Sequence, residues 1–116
     1  PLIADIRIGT SATGLCVRLG GATLPALLKA GDASLAFVVA GASVRVLAIE
    51  RAWVSADTVV EIEVPFERIG VAAGSDLQFG IQVRDRLDSI IESVPRGRHW
   101  SMTVPTARQA TLDWQA

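Results

Sequence analysis

A chain of 116 residues, half of them hydrophobic, has the length and the apolar material of one globular domain and is short for two. Its formal net charge of -1 supplies no basic excess to attract nucleic acid or anionic lipid, and the lone Cys16 cannot close an internal disulfide. No apolar run approaches the ~20 residues of a membrane helix, and no signal peptide opens the chain, so the expected setting is cytoplasmic and away from membranes. The start at Pro1, without Met and directly into an apolar segment, reads as a fragment of a longer polypeptide. Basic charge comes from Arg, with Lys29 the only lysine, which suggests a GC-rich bacterial coding sequence rather than a function.

Period-two alternation in short runs between turn residues dominates the sequence and predicts antiparallel strands with one buried face. Ala4, Ile6 and Ile8 alternate with Asp5 and Arg7, and the stretch 9–14 turns the chain. Leu15, Val17 and Leu19 alternate with Cys16 and Arg18 until Gly20-Gly21. Leu24–Ala30 is expected to form one or two helical turns stopped by Gly31-Asp32. Residues 34–40 are apolar at both parities, which predicts a central strand covered on both sides. In 43–50, Val44, Val46 and Ala48 share a face, and Ser55-Ala56-Asp57 reads as a break.

The stretch 58–64 alternates most cleanly, with Val60, Ile62 and Val64 on one face and Glu61 and Glu63 on the other. Pro65 closes it, because proline cannot donate to a ladder. After a helical turn at 66–70 and a loop at 74–76, Leu77, Phe79, Ile81 and Val83 alternate with Gln78, Gly80, Gln82 and Arg84. Asp85-Arg86 turns into a strand at 87–94, and Pro95-Arg96-Gly97-Arg98 turns into a last strand at 99–104. The predicted fold is therefore all-β: one antiparallel sandwich of about eight or nine strands spanning 1–116, jelly-roll or immunoglobulin-like, with one or two short helical turns.

Two stretches carry a family resemblance. Glu61-Ile62-Glu63-Val64-Pro65-Phe66-Glu67-Arg68-Ile69-Gly70, with Gly74 and Leu77-Gln78-Phe79, resembles the strand, proline, helical turn and strand of DOMON-like and family 9 carbohydrate-binding sandwiches. The segment from Glu92-Ser93-Val94-Pro95 through Thr103-Val104-Pro105 to Trp114 is similar to the C-terminal accessory domain of glycoside hydrolase family 57 proteins. The opening Ile6-Arg7-Ile8-Gly9 and Leu15-Cys16-Val17-Arg18-Leu19 resembles the paired strands that begin such domains. The resemblance implies a non-catalytic accessory module of a glycoside hydrolase-like protein, which either binds α-glucan or docks on the catalytic domain. A purely structural sandwich without a ligand is the alternative, and a haem-binding DOMON-type electron-transfer domain is a third.

The residues themselves offer little chemistry. A nucleophile–base pair would need Cys16 beside His99, the only histidine, and Cys16 in a strand interior reads as a small buried hydrophobe. Glu61 and Glu63 on one strand face stand ~7 Å apart, within the range of inverting glycosidases, but a solvated outer face is the favoured reading. Asp85 and Asp88 suggest a weak calcium turn or simply a turn. His99 and Met102, three apart on a strand, face opposite sides and cannot share one haem iron without a bulge. Arg84, Arg86, Arg96 and Arg98 cluster near the last turns, but Asp85 and Asp88 dilute them and no aromatic platform accompanies them. No catalytic residue, metal ligand, cofactor or nucleic-acid partner is therefore expected.

The tryptophans remain. Trp100, in phase with Met102 and Val104, is expected in the core, and Trp114 with Leu112 is expected to seal the sandwich or face a neighbouring domain. Trp53 is expected to be exposed. Together with Gln78, Gln82 and Arg84 it forms the candidate carbohydrate site, provided the two strands are neighbours.

Overall fold

In the computed structural model the described residues are 1–41 and 43–106, together with the backbone of Asp113–Gln115. Ten strands, all paired antiparallel, form two sheets. The first sheet contains β1 (Asp5–Thr10), β2 (Gly14–Gly20), β5 (Val54–Ala56), β6 (Val60–Pro65) and β10 (Asp113–Gln115), in the order β10-β1-β2-β6-β5. The second contains β3 (Ala33–Ala40), β4 (Arg45–Ala48), β7 (Asp76–Asp85), β8 (Ile90–Val94) and β9 (Trp100–Thr103). Its order is β4-β3-β7-β8, and β9 also pairs with β7. Two short helices, α1 (Leu24–Ala30) and α2 (Phe66–Ile69), complete the sandwich.

The core lies between the sheets and follows the alternation. Leu15, Val17 and Leu19 of β2, Val60, Ile62 and Val64 of β6, and Leu77, Phe79, Ile81 and Val83 of β7 are all buried and meet Leu35, Phe37 and Val39 of β3. Phe37 stacks on Phe79 at 5.4 Å, and Trp100 tilts against the same ring at 5.4 Å. Trp100, Met102 and Val104 thus face inward as one parity of the last strand. Both helices end on a glycine in the left-handed region, Gly31 (φ 75°) and Gly70 (φ 76°), where any residue with a Cβ is strained. Between the sheets, the Arg45 guanidinium donates to the Ile69 carbonyl at 2.6 Å, while the Leu2 and Ile3 amides both donate to the Glu92 carboxylate at 2.7 Å.

Two local expectations are corrected, at 55–57 and at 87–94, and two others stand and gain detail, in β4 and β3. In β4, Val44 and Val46 do share a face, but it is the solvent face, and Leu47 and Ile49 pack on the core instead. Where both parities are apolar, pattern alone cannot choose the inward one. The expected break at 55–57 begins as the three-residue strand β5, which pairs with β6. The strand expected at 87–94 starts only at Ile90, because the Asp85 carboxylate accepts the Leu87 and Ser89 amides and holds the turn open as far as Asp88 (φ 63°). β3 is central, as expected, and its outer side is covered too: Val38 is buried beneath the loop that separates β8 from β9.

Candidate functional site

Among the described residues three concavities stand out, and the residues singled out from the sequence do not gather in one of them. On the outer face of the first sheet, β2 and β6 run antiparallel with Cys16 opposite Glu63 and Arg18 opposite Glu61, and β5 adds Ser55 opposite Glu61. The short turn of 3-10 helix at Arg51–Trp53 brings Trp53 to the edge of this face. The result is a groove of about 570 Å³ whose walls include Trp53, Glu61, Glu63, Glu67, Thr13 and Cys16.

Two carboxylates of this groove, Glu61 and Glu63, are held in place. Glu61 pairs with Arg18 at 2.9 Å. Glu63 accepts from the Ser11 hydroxyl at 2.7 Å and from the Thr13 hydroxyl at 3.3 Å. Gly14 leaves room for that carboxylate, since a Cβ there would come within 2.8 Å of Glu63 Cγ. Trp53 is half-buried rather than exposed, and Arg68 stacks its guanidinium 5.1 Å from the indole centre while pairing with Glu50 at 2.5 Å.

Cys16 points outward into the groove and is only partly buried, which corrects the expectation of a core cysteine. Its neighbours hold the thiol protonated. Partial burial raises its pKa above the ordinary value, and the Glu63 charge raises it further. The thiol lies on β2 of the first sheet, whereas His99 precedes β9 of the second, so the two do not form a nucleophile–base pair.

The outer face of the second sheet holds the other candidate residues. Gln78, Gly80, Gln82 and Arg84 stand outward on β7, the opposite parity to its four core residues. Arg84 donates to the Gln82 side-chain oxygen at 2.8 Å and pairs with Asp88 at 3.2 Å. The expected site of Trp53 with Gln78, Gln82 and Arg84 is thereby corrected. Trp53 belongs to the first sheet, β7 belongs to the second, and β5 has no edge in common with β7. Of the polar row, Gln82 borders a depression of about 210 Å³ over Val38 and Gly80, roofed by Pro95, Arg98 and His99. Gly80 permits that roof, because a Cβ would stand 3.0 Å from the Val94 carbonyl.

The Asp85–Asp88 turn is occupied by its own amides and by Arg84, and Arg86 pairs with Asp32. Among the described residues no three His, Cys, Asp or Glu side chains converge as a metal site would require. None of the described helices is long and apolar enough to cross a membrane. Leu112 lies outside the described residues, and the Trp114 side chain is likewise not described.

The third concavity, about 740 Å³, opens between the two sheets beside α1. Nothing in the sequence pattern announced it, because its lining comes from four separate segments. Comparison of the chain with protein-family models, with curated proteins and with solved structures finds no match.

Proposed function

We propose that this chain is a non-catalytic accessory module of a glycoside hydrolase-like protein and that it holds α-glucan along the Trp53 groove of the first sheet. The observation that carries the reading is the company Trp53 keeps there. An aromatic ring, carboxylates already anchored by Arg18 and Ser11, and hydroxyls of Thr13 and Ser55 line one open groove. Sugar rings stack on apolar faces and exchange hydrogen bonds with fixed acceptors, so this mixture suits a polyhydroxylated chain better than a charged one. The resemblance to accessory domains of glycoside hydrolase family 57 supports the same context. Glu61 and Glu63 act in this reading as acceptors for sugar hydroxyls rather than as an acid and a base.

Titration with glycogen and maltooligosaccharides, followed by tryptophan fluorescence, tests the proposal. A saturable change is expected in the native chain and its loss is expected in Trp53→Ala. Silence at millimolar sugar would overturn glycan binding. Docking on a neighbouring catalytic domain would then be the surviving reading. It has an observation of its own: Val44, Val46, Ile90 and Ile91 on the second sheet's flanking strands stand about half exposed.

A further inference from the structure

The cleft beside α1 exists because the two sheets end unevenly. β5 has three residues and β4 has four, so neither edge extends far enough to close the sandwich on that side. α1 packs on β3 and β5 but leaves an opening that reaches the core. Ala33 and Leu35, both buried core members, form its depth, and Leu28, Ile49, Val54 and Ala56 form its walls. Its volume of about 740 Å³ falls within the ~300–1,000 Å³ of small-molecule sites, and an apolar wall with a few charged groups is their usual make-up.

The charged groups at this mouth are of one sign. Among the described residues Lys29 and Arg51 are its only charged lining groups, and both are exposed. The two carboxylates beside them in the chain are engaged elsewhere, Asp32 with Arg86 and Glu50 with Arg68. Neither Lys29 nor Arg51 forms an ion pair with a described residue. An open, mostly apolar cleft with two cations at its mouth, unpaired among the described residues, complements a molecule with an apolar tail and an anionic end.

We infer that this cleft binds a single-chain fatty carboxylate, its acyl chain laid against Leu28, Leu35, Ile49 and Val54 and its carboxylate between Lys29 and Arg51. The site is separate from the Trp53 groove and does not depend on the glycan reading. Calorimetric titration of the whole chain with octanoate, decanoate and dodecanoate, each below its micelle concentration, tests it. Every added CH2 should strengthen binding about fourfold until the cleft is filled. The double variant Lys29→Glu, Arg51→Glu changes two exposed side chains and should weaken dodecanoate at least tenfold while leaving dodecanol unchanged. Ala52→Phe, at an exposed lining position, should block both ligands. Absence of dodecanoate binding to the native chain would overturn the proposal, as would affinity indifferent to chain length or to the charge reversal.

Discussion

The outward face of the first sheet is polar and paired with itself, whereas that of the second divides into a polar row on β7 and a small apolar floor on β3 that a loop partly roofs. On β2 and β6 the outward positions are Cys16, Arg18, Glu61 and Glu63, and both carboxylates have partners. On β3 the outward Ala36 and Val38 are as buried as the core, at 4% and 6% exposure. The 95–99 loop, which interrupts the pairing partner of β7 between Ile81–Val94 and Phe79–Trp100, folds back over Gly80 instead. The contrast teaches that an outer sheet face can be buried like a core where its residues are small, and that over Val38 and Gly80 a loop contributes to the cover.

The largest expected effect addresses what the two faces share. Phe79→Ala should cost about 3–5 kcal/mol in urea unfolding, because Phe37 and Trp100 both rest on that ring and leave a cavity. Next comes the roof. Gly80→Val should cost about 1–3 kcal/mol by pushing the Val94 carbonyl and the 95–99 loop outward. A stabilised Gly80→Val would mean the loop does not press on the sheet, and the contrast between the faces would fail.

On the polar face, Glu63→Gln should cost about 1 kcal/mol or less, since the Ser11 and Thr13 bonds to Glu63 are solvent-exposed. It should also speed alkylation of Cys16 by iodoacetamide near neutral pH, because the carboxylate charge that raises the thiol pKa is removed. An unchanged alkylation rate would show that burial alone protects the thiol. The same raised pKa makes stability pH-dependent in one direction. Below the ordinary thiol pKa both folded and unfolded chains keep the proton and nothing is lost. As pH rises from there toward the raised folded value, the unfolded chain releases its proton first and stability declines. Cys16→Ser should remove that portion of the alkaline decline, measured as unfolding midpoints against pH. Smallest of all, Val46→Ala should shift stability by no more than about 0.5 kcal/mol, since Val46 is half exposed on an outer face.

Legibility from sequence followed the same division. β6 was readable residue by residue, because Glu61 and Glu63 mark one face as unburiable without partners and thereby assign Val60, Ile62 and Val64 to the core. β7 was readable for the same reason through Gln78, Gln82 and Arg84. β4 was not, because Val46 and Leu47 are equally apolar and only packing against β3 selects Leu47. Trp53 illustrates the limit for sites. Its neighbours in the groove, Glu61, Glu63 and Thr13, come from β6 and the β1–β2 turn, and the order β2-β6-β5 that unites them is a long-range choice.

The sequence by itself determined the all-β class, the two helical turns with their glycine stops, and the inward faces of β2, β6, β7 and β9. Each of these rests on period-two alternation or on local backbone preference, which are readable within a few residues. Only the tertiary structure decided which strands share a sheet, which face of β4 is wet, that Trp53 parts from Gln78, Gln82 and Arg84, and that a cleft opens beside α1. Those outcomes depend on contacts between separate segments, up to 90 residues apart for Leu2 and Glu92, and pattern within one strand carries no information about its partner.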